Sequence, residues 1–119
     1  MKFNPHAELS REQFDALHRM LLEKRDALLS TVDELKQQIV ARQDCSIADA
    51  AEAAYLREEA ARAQGVAEEH ERTLAEIDGA LERIRSGQYG VCEVSGEPIG
   101  FARLQLVPWT RVSADAGVG

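Results

Sequence analysis

Two long stretches of this chain repeat apolar residues every three or four positions, and this repeat constrains the fold more than any other feature. In the first stretch the repeating residues are Phe14, Leu17, Leu21, Leu28, Val32, Leu35 and Ile39. In the second they are Tyr55, Leu56, Ala60, Ala63, Ala67, His70, Leu74, Ile77, Leu81 and Ile84. Such spacing gives each helix one apolar stripe, and two striped helices pair as a coiled coil. The sequence predicts a mostly α protein built on a long antiparallel coiled-coil hairpin.

Capping signals mark the ends of the two predicted helices. Ser10 followed by Gln13 predicts a capping box that opens the first helix, which we expect to end near Asp44. Gly87 suits the left-handed residue that ends a helix, so it closes the second one. These signals divide the chain into an N-terminal segment (1–9), the hairpin (10–86) and a small C-terminal module (87–119).

The link between the two helices is short and acidic, and it forms the tip of the hairpin near residues 44–54. Both Ser46 with Asp49 and Asp49 with Glu52 have the spacing of an N-terminal cap for the second helix. A long helical hairpin offers little concave surface for a substrate. We therefore expect its contacts with a partner to be made at this tip.

The composition narrows the class of partner. The net charge is −7, whereas a free-standing nucleic-acid binder needs clustered Lys and Arg. We expect a protein partner and no direct DNA binding. No apolar run approaches the roughly 20 residues that span a bilayer, and the first residues lack the apolar core of a signal peptide. Cytoplasmic location is expected, with Cys45 and Cys92 too far apart for a disulfide.

The C-terminal module differs from the hairpin in its residue pattern. Tyr89–Val94 is predicted as a short strand that turns back through residues 95–98. Residues 102–106 are predicted as one helical turn that ends before Pro108. The last residues, 113–119, are expected to be a flexible tail, and the sequence leaves the conformation of residues 110–112 open.

The string YGVCEVSGEPIGFARLQLVP, directly after a helical hairpin, resembles the finger of the DksA/TraR-type zinc-finger proteins. Their pattern is YGxCxxCGxxIGxxRLxxxP followed by a second CxxC. The matching residues are Tyr89, Gly90, Cys92, Gly96, Ile99, Gly100, Arg103, Leu104 and Pro108. The resemblance implies a small zinc-finger-like globular module and a bacterial, non-enzymatic transcription regulator. Such regulators bind RNA polymerase directly and insert the coiled coil into its secondary channel, where, with ppGpp, they alter open-complex stability.

The resemblance also implies which tip residues bind the polymerase. The family pattern Asp-x-x-Asp-x-Ala falls on Asp49, Glu52 and Ala54, which we call the tip residues. The two acids can equally serve as plain helix caps, and a cap can orient the carboxylate that a partner binds.

The metal-ligand positions of the family fall here on Cys92, Ser95, Ser113 and Ala116. A structural zinc site needs four thiolate or imidazole ligands, and neither Ser nor Ala replaces a thiolate. We therefore expect a degenerate finger without zinc, able to work when zinc is scarce. The expected replacement for the metal is apolar packing by Val91, Val94, Ile99, Phe101, Leu104, Leu106 and Trp109.

The family's alarmone-binding positions depart from the pattern as well. They fall on Glu76, Val107 and Gly117, none of which is basic. Because a carboxylate repels a polyphosphate, we expect weak or absent potentiation by ppGpp and no bound cofactor.

We expect the protein to be a monomer. Two other interpretations of its function remain open. A Gre-like transcript-cleavage factor would use Asp49 and Glu52 to help hold a catalytic Mg²⁺ in the polymerase. A plain coiled-coil adaptor would have no link to transcription. The finger-like string argues against both.

Overall fold

The computed structural model describes residues 2–43 and 49–114, and most of them are helical. A short 3-10 helix, Pro5–Ala7, precedes helix α1 (Arg11–Gln43). Helix α2 (Ala50–Ser86) follows the link, and a short helix α3 (Phe101–Leu106) lies in the C-terminal module. The predicted class, mostly α with two long helices in a hairpin, is confirmed. No helix in the described ranges is long and apolar enough to cross a membrane.

The helix ends follow the predicted capping chemistry. The backbone N–H of Gln13 donates to the Ser10 hydroxyl over 3.0 Å, and the Ser10 N–H donates to the Gln13 side chain over 3.1 Å. This reciprocal pair is the predicted capping box. At the end of α2, Gly87 has a φ of 83°, the left-handed conformation that glycine adopts without steric cost.

The chain folds into two compact units. The terminal unit contains Met1–Arg25 and Ala75–Gly119, and the central unit contains Asp26–Leu74. Each of the two long helices contributes to both units.

In the central unit, the predicted seam is the core. Ile39 of α1 packs with Ala60 and Ala63 of α2, and the partly buried Leu35 packs against this cluster. Because the α2 side of the cluster is alanine, the apolar layer is thin. An ion pair of 3.0 Å between Lys36 and Glu71 accompanies it.

The terminal unit has a larger core that includes the N-terminal segment. Phe14 lies edge-on against Phe3, with ring centroids 5.4 Å apart, and against Tyr89 at 6.2 Å. The buried Asn4 amide donates to the Tyr89 carbonyl over 3.1 Å. Residues 1–9, which carry no periodic signal, are therefore tied to the C-terminal module. The largest fully buried side chains are Tyr89, Phe14, Leu17, Leu21, Ile77, Ile84, Leu104 and Cys92.

The predicted strand at Tyr89–Val94 is wrong. Extended pairing is limited, within the part of the chain described, to one antiparallel bridge between Val91 and Pro98. The Gly96 N–H donates to the Cys92 carbonyl over 2.9 Å, so the chain turns immediately after the bridge. A segment that pairs at one position is too short to form a strand.

The expected apolar packing of the module is only partly present. Ile99 and Leu104 are buried, and Val91, Phe101 and Trp109 are partly buried. The prediction is wrong for Val94 and Leu106, because 73% and 79% of their surfaces are exposed. Other contacts must therefore hold this module.

Tyr89 supplies one of those contacts. Its hydroxyl donates to the Pro108 carbonyl over 2.7 Å, inside the core. Burial raises the pKa of Tyr89 well above its ordinary value of 10.0, because the phenolate form would lose its hydration.

Replacing Tyr89 by Phe is expected to destabilise the protein by about 1–3 kcal/mol, since the Pro108 carbonyl loses its buried donor.

The raised pKa of Tyr89 also makes the stability of the protein pH-dependent. The neutral phenol stabilises the fold fully below pH 10.0, the unfolded value, and that contribution is lost as the pH rises above it. Urea unfolding from pH 7 to 11 should show a steeper alkaline loss for wild type than for Tyr89→Phe. Tyr55→Phe, at an exposed site, is the control; equal alkaline losses in all three proteins would contradict this.

Candidate functional site

The three tip residues are exposed around the first turn of α2, in the central unit. Asp49 precedes the helix, and its carboxylate accepts a hydrogen bond of 2.8 Å from the Glu52 backbone N–H. The Ala53 N–H donates to the Asp49 backbone carbonyl over 2.8 Å. Asp49 is therefore the N-cap, one of the two alternatives that the spacing allowed. Ser46, the other alternative, lies outside the described residues, as does Cys45.

The cap fixes the direction of a negative charge. The hydrogen bond from Glu52 holds the Asp49 carboxylate in one orientation, and the helix N-terminus favours a negative charge there. Glu52 adds a second carboxylate at the third helical position. Asp49 thus offers an oriented hydrogen-bond acceptor to a partner, and Glu52 adds a second exposed negative charge.

The buried side of this turn determines which residues face solvent. Ala53 is buried, whereas Glu52 and Ala54 on either side of it are exposed. Tyr55, which the repeat assigned to the seam, is 58% exposed. It is thus part of the surface beside the tip residues. The sequence could not distinguish these positions, because an aromatic residue suits both.

Three of the four predicted ligand positions, Cys92, Ser95 and Ser113, lie within the described residues and converge around one sulfur atom. Cys92 is buried, and its Sγ accepts a hydrogen bond of 3.4 Å from the Ser95 N–H. A hydrogen bond from the Ser95 side chain, followed by backbone donors of Ser95, Ser113 and Val94, lowers the pKa of Cys92 to about 6. Ser113, which lies 21 residues further along the chain, thus approaches the sulfur. Ala116 is outside the described residues.

This set of donors does not fit a structural zinc ion. Zinc needs four thiolate or imidazole ligands, and here the residues around Cys92 are serines whose N–H or hydroxyl groups donate to its sulfur. Nowhere in residues 2–43 and 49–114 do three His, Cys, Asp or Glu side chains group as a metal site would need. The described contacts of the sulfur are hydrogen bonds from these neighbours.

Glu76, one of the three positions predicted from the resemblance to face the alarmone, forms an ion pair. Its carboxylate lies 3.2 Å from Nε of Arg111. Sequence reasoning missed this arginine, because Arg111 matches no family position and lies 35 residues away along the chain. Its place between Ser95 and Ser113, two of the predicted ligand positions, gave no sign of a contact with α2.

Comparison with known proteins identifies the C-terminal module. The family described as "Prokaryotic dksA/traR C4-type zinc finger" matches residues 87–117. The chain is 47% identical over 45 residues to "RNA polymerase-binding transcription factor DksA" of Caulobacter vibrioides, covering 38% of this chain and 32% of that protein. It is 57% identical over 42 residues to an uncharacterised protein of Aquifex aeolicus, covering 35% and 29% of the two chains. These matches span about a third of the relatives' length.

A solved structure extends the similarity to most of the chain. The structure of transcription factor DksA2 from Pseudomonas aeruginosa superimposes with a TM-score of 0.81 at 29% sequence identity. The superposition covers 92% of this chain and 83% of the other. The helical hairpin is therefore shared, as well as the finger.

Proposed function

This chain belongs to the DksA/TraR family, and on that premise we propose that it is a non-enzymatic transcription regulator that binds RNA polymerase directly. It inserts the tip of its hairpin into the secondary channel and modulates the stability of open complexes at promoters. The name of the Caulobacter relative, an RNA polymerase-binding factor, and the shared hairpin support this assignment. Cytoplasmic location and a monomeric state are part of the proposal.

The capped carboxylate of Asp49 is the observation that carries the proposal. An exposed acid held in one orientation by the backbone is ready to accept hydrogen bonds from a partner at little further entropic cost. Glu52 and Ala54 complete the same exposed turn. Ala54 has a small side chain, which allows close approach of the partner's backbone.

The energy that such a regulator needs is small. It must bind one conformation of the polymerase better than another, and only this difference shifts the equilibrium. A tenfold change in open-complex lifetime corresponds to about 1.4 kcal/mol. One charge-assisted hydrogen bond supplies about that much. Asp49 alone is therefore sufficient as the acting group.

Asp49→Asn separates this role from capping. Asn caps helices as well as Asp, so we expect an unchanged melting temperature and unchanged binding to core polymerase. The effect on open-complex lifetime should fall about tenfold, because the charge is lost. The measurement is the lifetime of open promoter complexes after a competitor is added, with and without the protein. Asp26→Asn removes one exposed charge from α1 of the same unit and should behave as wild type.

Three outcomes would contradict the proposal. An Asp49→Asn protein with full activity would exclude the tip mechanism. Release of 3′ RNA fragments from stalled elongation complexes, lost in Asp49→Asn, would favour a Gre-like cleavage factor instead. Failure of the wild-type protein to retain core polymerase in a pull-down would favour a plain adaptor.

We further propose that ppGpp has little effect through this surface. Glu76 carries a carboxylate where the family has a basic residue, and its ion pair with Arg111 leaves that side of α2 without net positive charge. A polyphosphate gains nothing from a neutral pair.

With polymerase that lacks its other alarmone site, the lifetime of ribosomal-promoter complexes in the presence of this protein should be the same with and without ppGpp. A family member that keeps basic residues at these positions serves as the positive control. Strong synergy between ppGpp and this protein would overturn the expectation.

A further inference from the structure

Gly79 on α2 leaves a space that the side chain of Arg111 occupies, in the terminal unit. We call this space the seat of Arg111. A Cβ atom at position 79 would lie 2.7 Å from Arg111 Nη2 and 3.5 Å from Arg83 Nη1. The first of these distances is shorter than carbon and nitrogen tolerate. Glycine is also, after proline, the least favourable residue in a helix interior. The guanidinium of Arg111 thus lies where any other residue would place its side chain.

From this seat Arg111 connects α2 with the turn that follows Cys92. Its Nε lies 3.2 Å from the Glu76 carboxylate on α2, and its Nη1 lies 3.5 Å from the Glu93 carboxylate in the turn. The Arg111 carbonyl also accepts a hydrogen bond of 2.9 Å from the Glu93 N–H. Both its side chain and its backbone hold the same turn.

A second arginine of α2 holds the segment that carries Arg111. Arg83 Nη2 donates to the Trp109 carbonyl over 3.2 Å and to the Thr110 carbonyl over 3.5 Å. Burial, followed by the positive charge of Arg111, lowers the pKa of Arg83. Thr110 is buried and its hydroxyl donates to the Val112 carbonyl over 3.0 Å. Residues 109–112, here called the return segment, are therefore fixed on α2.

The return segment leads into Ser113, and Glu93 lies between Cys92 and Ser95. These serines and Cys92 occupy ligand positions at which a zinc ion would join the two parts of the module, but their chemistry does not fit zinc. We propose that Arg111, seated on Gly79, closes this module in place of a metal. It joins the same two segments through charge-assisted hydrogen bonds. A planar guanidinium suits the role, because one group reaches both carboxylates while it lies flat on the helix.

This closure predicts how the module responds to its surroundings. The Arg111 side chain is 42% exposed, and its two carboxylate partners are 47% and 50% exposed. Salt screens exposed ion pairs, so stability of the module should depend on ionic strength. It should not depend on metal. These consequences are independent of polymerase binding.

A pair of glycine substitutions in α2 tests the seat. At Gly65 a Cβ atom would have nothing within 4 Å of it, so Gly65→Ala should raise the melting temperature by a few degrees through helix propensity alone. Gly79→Ala should raise it less, because the methyl group displaces the Arg111 guanidinium and the lost ion pairs offset the gain in helix propensity. In an Arg111→Met background, Gly79→Ala should recover the increase seen for Gly65→Ala. The fluorescence of Trp109, the chain's one tryptophan, reports unfolding of the return segment.

Two further measurements complete the test. The purified protein should contain no stoichiometric zinc, and EDTA should leave the Trp109 melting temperature unchanged. Arg111→Lys keeps the positive charge but not the planar guanidinium. The difference in melting temperature between wild type and this variant should shrink at high salt, because salt screens the ion pairs. A Gly79→Ala protein stabilised as much as Gly65→Ala would show that the seat is not used. One zinc per chain, or a melting temperature lowered by EDTA, would show that a metal closes the module.

Discussion

The apolar seam between α1 and α2 is the contact on which the rest of the structure depends. In the central unit Leu35 and Ile39 face alanines of α2, and in the terminal unit Phe14 and Ile77 are among the most deeply buried side chains. The seam also determines what is presented to solvent. Ala53 is buried in this seam, whereas Glu52 and Ala54 on either side of it are exposed.

Much of this could be predicted from the sequence, because helices and caps depend on residues a few positions apart. The heptad repeat predicted both long helices, and Ser10, Asp49 and Gly87 predicted three of their ends. The remainder depends on contacts between distant residues. Neither the seat of Arg111 on Gly79 nor the contact of Asn4 with Tyr89 leaves a periodic pattern in the sequence. Val94 and Leu106 were misplaced because a module of this size cannot bury every apolar side chain.

The two candidate sites share one physical device, a charged or polarisable group held by hydrogen bonds. At the tip, a backbone N–H orients the Asp49 carboxylate. In the C-terminal module, donors from Ser95 and Ser113 surround the Cys92 sulfur, and Arg111 bridges two carboxylates. The family's finger is described as a C4-type zinc finger. We propose that in this chain local hydrogen bonds and ion pairs replace the thiolates and the metal.

We propose that the first turn of α2 contacts the active centre of RNA polymerase, and photo-crosslinking can detect this contact. A photo-reactive aromatic amino acid replaces Tyr55, whose side chain is 58% exposed beside the tip residues, and the protein is irradiated in complex with core polymerase. We predict a crosslink that maps to the catalytic loops at the inner end of the secondary channel. Absence of a crosslink, or a crosslink to a polymerase surface remote from the active centre, would contradict the account.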